Sequence, residues 1–396
     1  MKEAIAACGR KGVKGLTIIT AGFGETSQAG RERQEALALL ARSHGMRVLG
    51  PNVSGAFNIP AQFNASPTPA DYIVPTPIAA VCQGSYAFYD LLYAGWSRGM
   101  GVGKFIHTGN ESDLTVTDFF EHFGQDPEVK AIVMYIEALR DGKRFMDVAR
   151  AVTRIKPVVV YKAGRTPGSA RAAHSHTGAL SGQKGIYDGL FRQTGIVASP
   201  TMELLLPLCH ALIERPPMRG PAVAIITMGG SWGVALSDAL EEAGLFVPEL
   251  GAELQKALRA VGMPPRASTK NPVDFGASGL FFSVDTPIEL SREILASGEV
   301  DALVVHGIGR PGMHDENTPE ELKYLAEIEK EQITKIEALE KETDIPVLIG
   351  SHYNPWESQV VSDLNKQGIR LYNRVKEIAQ LLSLMRGYWK KTPIDV

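Results

Sequence analysis

Cysteine is scarce: the 396 residues hold only Cys8, Cys82 and Cys209, scattered without the short spacing of a metal site or redox motif. So few thiols, odd in number, exclude a disulfide framework and fit a reducing, cytoplasmic compartment. No run of about eighteen apolar residues occurs, so no transmembrane helix is expected. The start, Met1-Lys2-Glu3-Ala4, lacks the long apolar segment of a secretory leader. An excess of one charge is missing too. Against 44 acidic residues stand 41 Lys and Arg, for a net charge of −3 with no long basic run, which argues against nucleic acid as a partner. A phosphate loop of the form Gly-x4-Gly-Lys-Ser/Thr is also absent, and no nucleotide site is visible. The remainder is ordinary globular composition, in a chain long enough for two or three domains.

The pattern is one of strands alternating with helices, an α/β class. Residues 2–11 read as a short helix, 16–20 as a strand and 21–25 as a turn. An amphipathic helix over 31–44 sets Leu37, Leu40 and Ala41 on one face, and a strand over 47–50 ends in Pro51-Asn52. This is a fragment of a doubly wound sheet, too small to carry its own sheet and both helical layers. Residues 59–74, rich in Pro, Ala and Asn, read as a linker. Strands at 78–82, 104–107, 131–136 and 158–161 then alternate with helices at 87–99, 118–123, 145–155, 185–194 and 202–213, which predicts a flavodoxin-like domain over 75–215. After the proline-rich joint 215–221, strands at 222–226, 302–306, 346–350 and 369–372 predict a second over 220–396. Helices at 234–243, 254–261, 286–297, 316–341 and 375–385 accompany them, that at 316–341 long and charged.

The organising stretch is Arg171-Ala-Ala-His-Ser-His-Thr-Gly-Ala-Leu-Ser-Gly182, entered from Pro157-Val-Val-Val-Tyr-Lys-Ala-Gly164. Val158 to Tyr161 is an apolar run of the parallel-sheet kind. In such sheets ligands gather beyond the carboxyl ends of the strands. Small residues there let backbone N–H groups approach an anion, with Lys162, Arg165 and Arg171 adding positive charge. A neutral imidazole nitrogen is nucleophilic near pH 7, so His176 is taken as a carrier of a phosphoryl group. His174 is the nearest alternative, and spacing does not separate the two. The plain alternative is a solvated histidine in a loop whose Gly and Ser are turn punctuation.

The run Ser175-His176-Thr177-Gly178-Ala179-Leu180-Ser181-Gly182 resembles the active-site segment of the alpha subunits of ADP-forming (NDP-forming) acyl-CoA synthetases, relatives of succinyl-CoA synthetase. Lys156-Pro157-Val158-Val159, Lys162-Ala163-Gly164-Arg165-Thr166, Gly109-Asn110, Asp126-Pro127, Tyr135-Ile136-Glu137, Phe191-Arg192-Gln193 and Asn271-Pro272-Val273-Asp274 match as well, in order, over nearly the whole chain. The resemblance implies a partial Rossmann-like CoA-binding domain over 1–65, followed by the two flavodoxin-like domains. By position His176 is the phosphorylated histidine. Glu137 orients its imidazole by accepting from the nitrogen that carries no phosphate. Phosphate is expected at Gly109, Asn110 and Gly178 and at the helix after Gly229-Gly230-Ser231. CoA is expected at Gly22, Phe23, Glu25, Pro51 and Asn52, and no metal ligand is expected in this chain. ATP or ADP with Mg2+ would come through an ATP-grasp beta subunit, in a homo- or hetero-oligomer. The substrate would be an acyl-CoA or carboxylic acid.

The sequence departs from the family pattern at four places. Val53 follows Gly50-Pro51-Asn52 where cysteine is common. Gln83-Gly84-Ser85 replaces Gln-Ser-Gly. Met228 stands for Asn-Ala and Ser231-Trp232 for Pro before Gly233. The first half of the CoA domain, with its glycine-rich turn, has no counterpart, which leaves a misassigned start, a half supplied by another chain, or impaired CoA binding. Two other functions share the scaffold: a non-catalytic protein that binds CoA or acyl-CoA, and an ATP-independent acyl or carbamoyl transferase.

Overall fold

The computed structural model describes residues 1–84, 86–169, 184–276, 284–312 and 318–391. These divide into two compact units, one of Met1–Trp96 with Met100–Cys209, the other of Ser97–Gly99 with His210–Val396. Among the described residues no helix is long and apolar enough to cross a membrane.

In the first unit a seven-stranded sheet carries the core. Its strands are β3 (Ala56–Asn58), β4 (Phe63–Ala65), β5 (Ile78–Cys82), β6 (Lys104–His107), β7 (Ala131–Ile136), β8 (Val158–Lys162) and β9 (Val197–Ala198), in the order β4-β3-β6-β5-β7-β8-β9. From β6 onward all pairings are parallel. Numbered along the chain from β5, the strands run 2-1-3-4-5, the flavodoxin-like order. The central strands are mostly Val, Ile and Ala, buried without alternation because both faces are covered. Helix Val116–Gln125 packs Phe120 onto Phe145 of helix Gly142–Val152 with ring centroids 5.3 Å apart, both fully buried.

Residues 59–74 hold more structure than a linker. β3 and β4 form an antiparallel hairpin, and β3 pairs antiparallel with β6 along its free edge. Strands of three residues carrying Asn and flanked by Pro give no periodic signal.

Ahead of the hairpin, β1 (Gly15–Thr17) and β2 (Arg47–Leu49) pair parallel as a two-stranded sheet. Helices Lys2–Arg10 and Gln28–Ser43 bring Ile5, Leu37 and Ala41 into one buried cluster with Phe23, Met46 and, from β2, Val48. Ser27 caps the second helix by accepting from Gly30 N at 3.1 Å. A methyl group at Gly30 would run into the Phe23 carbonyl, so glycine sets how closely helix and turn approach. Asp113, from the loop after β6, ties this layer down. Its buried carboxylate accepts from Arg42 Nε at 2.8 Å, Arg47 Nε at 2.9 Å and Val48 N at 2.8 Å. Burial works to raise its pKa, but these donors outweigh it and hold the carboxyl below its usual range.

The second unit contains β10 (Val223–Thr227), β11 (Val273–Asp274), β12 (Ala302–His306), β13 (Val347–Gly350) and β14 (Leu371–Tyr372), all parallel, in the order β11-β10-β12-β13-β14. This is again 2-1-3-4-5. The Asn271-Pro272-Val273-Asp274 motif is structural here. Asn271 accepts from Ile225 N at 2.9 Å and donates to Val223 O at 3.0 Å and Pro248 O at 2.9 Å, satisfying backbone that two-residue β11 is too short to pair. The long charged helix starts later than its composition implies, at Tyr324, after a single turn Glu320–Leu322. Helix Gln359–Lys366, capped by Ser358, has no counterpart in the sequence reading.

Candidate functional site

In a 2-1-3-4-5 sheet the crevice opens beyond the carboxyl ends of the first and third strands. In the first unit these are β5 and β7, and the residues that leave them are Gln83 and Glu137. Gln83 is buried and uses its whole hydrogen-bonding capacity. Its Oε1 accepts from Glu137 N at 2.6 Å and Ala138 N at 3.0 Å. Its Nε2 donates to Glu111 Oε1 and to Ala138 O, both at 2.9 Å. Glu111 also accepts from Thr108 Oγ1 and Val116 N, each at 2.9 Å, while burial raises its pKa. His107 Nδ1 accepts from Ser54 N at 2.9 Å, so its Nε2 carries the proton and donates to Gln83 O at 3.0 Å.

Glu137 is 5% exposed, and among the described residues its Oε2 has no partner. A buried carboxylate oxygen left this way is costly. Lys162, at the end of β8, donates to Glu137 O at 2.7 Å and to Ala163 O, with its ammonium 4.4 Å from the centre of the Tyr187 ring. Burial pulls its pKa down to about 8, against the attraction of Glu137. The loop that leaves β8 carries Arg171, His174, His176 and Gly178, which lie outside the described residues.

The loop after β6 turns the other way. Gly109 has φ 58°, and a methyl group there would meet the carbonyls of Pro51 and Asn52. Asn110 N donates to Pro51 O at 2.9 Å. Its Nδ2 donates to Glu25 and, at 3.1 Å, to Gln34 Oε1. The structure thus gathers Gly22, Phe23, Glu25, Pro51, Asn52, Gly109 and Asn110 into one cluster. Within it Glu25 folds back onto its own turn and accepts from Gly22 N and, at 3.1 Å, from Phe23 N. Burial works to raise the pKa of Glu25, but the Asn110 and turn donors outweigh it and lower it. Beside this turn lies a largely apolar groove of about 780 Å³, lined by Thr20, Phe23, Ala36 and Leu37, with Lys2 and Arg33 at its sides.

In the second unit the same topological position falls between β10 and β12. Gly229 caps helix Gly230–Glu242, and its N donates to Thr227 Oγ1 at 3.2 Å. Gly230 and Ser231, in the first turn, are exposed, an arrangement that suits an anion. Asp274 crowds this end: a methyl group at Gly230 would lie 2.8 Å from its Oδ2. The Trp232 ring sits 5.2 Å from His306 and 4.9 Å from His352. His306 is 1% exposed and its Nδ1 has no partner among the described residues. Burial, and secondly His352, lower its pKa to about 4, so it is neutral at pH 7.

Gln83, Glu111 and His306 escaped the sequence reading. Gln83 and His306 were findable, because Gln83 follows directly on a strand flanking a crevice and His306 ends one. Glu111 gave no such signal.

Residues 75–212 match the model of the succinyl-CoA ligase like flavodoxin domain. The chain is 39% identical over 286 residues to the alpha subunit of acetate–CoA ligase (ADP-forming) II from Pyrococcus furiosus, covering 70% of this chain and 60% of that one. It is 38% identical over 305 residues to the alpha subunit of the form I enzyme of the same organism, covering 76% and 64%. The chain therefore spans less than two thirds of the length of these relatives. Among solved structures, dinucleotide-forming acetyl-coenzyme A synthetase 1 of Ca. Korarchaeum cryptofilum, in complex with phosphate and ADP, superposes with a TM-score of 0.80 at 30% identity, covering 98% of this chain and 80% of that one.

Proposed function

The chain belongs to the family of ADP-forming acyl-CoA synthetase alpha subunits, and from that premise we propose that it is the phosphohistidine-bearing part of such an enzyme, converting acyl-CoA, ADP and phosphate to carboxylic acid, CoA and ATP, and the reverse. The observation that carries this reading is Glu137: a buried carboxylate with one oxygen unpartnered among the described residues, at the crevice of the sheet, beside the strand from which the His176 loop departs.

Three transfers follow. A phosphate oxygen attacks the thioester carbonyl, the C–S bond breaks, and CoA leaves with acyl phosphate formed. An imidazole nitrogen of His176 attacks phosphorus, and the carboxylate leaves with the electron pair of the P–O bond. A β-phosphate oxygen of ADP then takes the phosphoryl group and restores neutral histidine. Glu137 accepts a hydrogen bond from the other ring nitrogen, holds the tautomer and offsets the charge that develops on the ring. Lys162, Arg165 and Arg171 supply positive charge near the phosphoryl oxygens, with Gly178 in the same loop. The exposed helix start at Gly229, Gly230 and Ser231 is a second place for phosphate. The nucleotide and Mg2+ are assigned to an ATP-grasp partner subunit, and the groove by Phe23, with Lys2 and Arg33, to CoA.

Labelling tests this directly. Incubated with ATP, Mg2+ and an ATP-grasp partner, the chain should gain an acid-labile, alkali-stable phosphate that His176→Ala does not. Equal label on both proteins overturns the assignment. A second reading, a binding protein without turnover, is favoured by Trp232, a bulky ring in the first turn of the helix where phosphate would sit, whereas Glu25, which already occupies the turn donors that an anion would use, weighs against CoA at that turn. Calorimetry with CoA on the wild type and Glu25→Gln, alongside the labelling, separates the two, since a mere binder takes up CoA and gains no phosphate.

A further inference from the structure

The backbone around Glu137 is fully committed, while among the described residues its carboxylate Oε2 has no partner. Its amide N–H is held by Gln83 Oε1 at 2.6 Å, its carbonyl by Lys162 Nζ at 2.7 Å, and the next residue's N–H and C=O by the two ends of the same Gln83 amide at 3.0 and 2.9 Å. An amide can face two ways, and here one way is imposed. Glu111 Oε1, 2.9 Å from Gln83 Nε2, is an acceptor already loaded by Thr108 and Val116, so only the NH2 end can face it. The carbonyl end is thereby forced toward the N–H groups of Glu137 and Ala138. The reverse orientation would set oxygen against oxygen at one end and NH2 against N–H at the other. Gln83 is itself fixed through its backbone, by Tyr135 O at 3.1 Å and His107 at 3.0 Å.

We infer that Gln83 and Glu111 are a positioning pair for phosphoryl transfer: Glu111 orients the Gln83 amide, and the amide clamps the 137–138 backbone so that the Glu137 carboxylate meets the imidazole at one fixed place. Neither residue touches the substrate. The inference rests on the proposed role of Glu137. A clamp of this kind acts on the rate of transfer, because a displacement of about 1 Å at a reacting group can cost on the order of a hundredfold.

Two substitutions separate positioning from mere packing. Gln83→Met keeps length and burial and removes all four hydrogen bonds. Gln83→Glu keeps the oxygen that accepts from Glu137 and Ala138, but sets a carboxylate against Glu111, a contact that holds only when the two share a proton. The assay is the initial rate of histidine phosphorylation from ATP with the partner subunit, from about pH 6 to 8, quenched in alkali. Gln83→Met should be slower by about a hundredfold throughout, with the KM for ATP unchanged. Gln83→Glu should be comparably slow at pH 8 and recover toward the wild-type rate at pH 6. Circular dichroism melts establish that both variants are folded, and if Gln83→Met is not, Gln83→Glu carries the test through its pH profile. A wild-type rate for Gln83→Met, or a wild-type pH profile for Gln83→Glu, overturns the inference. Glu137→Gln runs in parallel. If it loses phosphorylation while the Gln83 variants keep it, positioning fails and the role of Glu137 stands; if it keeps phosphorylation, both fall.

Discussion

His306 offers a quantitative test of the second crevice. Its imidazole is 1% exposed, and burial with His352 nearby lowers its pKa to about 4, against about 6.5 in an unfolded chain. Above about pH 6.5 neither state holds the extra proton. Between about 6.5 and about 4 only the unfolded chain binds it. The contribution to stability is therefore complete above pH 6.5 and is lost as pH falls, at about 1.4 kcal/mol per pH unit and about 3 kcal/mol in all. Between pH 7.5 and pH 5 the loss should be about 2 kcal/mol. The wild type alone will not reveal it. Burial pushes Glu329 up to about 7 and Glu340 up to about 6, and those carboxyls gain stability as pH falls over the same window. Their opposite slopes can cancel that of His306, so the readout is a difference. Urea unfolding of the wild type and His306→Asn, followed by circular dichroism at pH 7.5 and pH 5, should show the gap between them shift by about 2 kcal/mol against the wild type at the lower pH. Parallel pH curves would mean that His306 titrates in the fold as it does in water, and the account of a neutral imidazole beneath Trp232 would be wrong.

Gly109→Ala puts a methyl group into the Pro51 and Asn52 carbonyls at a left-handed backbone position, so it should destabilise by at least about 1–2 kcal/mol and weaken CoA binding; a melt and a CoA titration matching the wild type would refute the packing of that loop. Asp113→Ala strands the Val48 N–H, worth about 1–3 kcal/mol, while its half-exposed arginine partners add less than about 1 kcal/mol each. Chemical denaturation should therefore show a loss of about 2–4 kcal/mol that fades as pH falls below about 3.9, because the folded carboxyl is the stronger acid. Lys162 loses its charge as pH rises through about 8, so phosphorylation should decline above that pH in the wild type. Lys162→Met should be slow at every pH, and a decline of the same shape in that variant would exonerate the lysine.

The alternation of strands and helices was legible because parallel strands write themselves as short apolar runs, such as Ile78–Cys82 and Ala302–His306. The hairpin β3–β4 was not, because β3 is held by backbone pairing to β6 and β4 by pairing to β3, rather than by any periodic burial of their own. The motif series led to Glu137 and to the turns at Gly22 and Asn52. It could not reveal that Asn110 serves the Glu25 turn, since that contact joins residues 85 positions apart. The Gln83 amide was hidden for a similar reason. Its importance lies in four hydrogen bonds, every one of them to a residue at least 28 positions away.

The pairing of β3 with β6 changes what counts as a separable piece of this molecule. A fragment beginning at residue 75 would keep every flavodoxin-like strand and helix of the first unit, yet would bare the edge of β6 that β3 now covers. An unprotected parallel edge is a template for intermolecular pairing. Such a fragment would tend to self-associate, and attempts to study this half alone would meet insolubility before they met chemistry. Cutting ahead of Gly55 instead would carry the hairpin along and keep the edge capped.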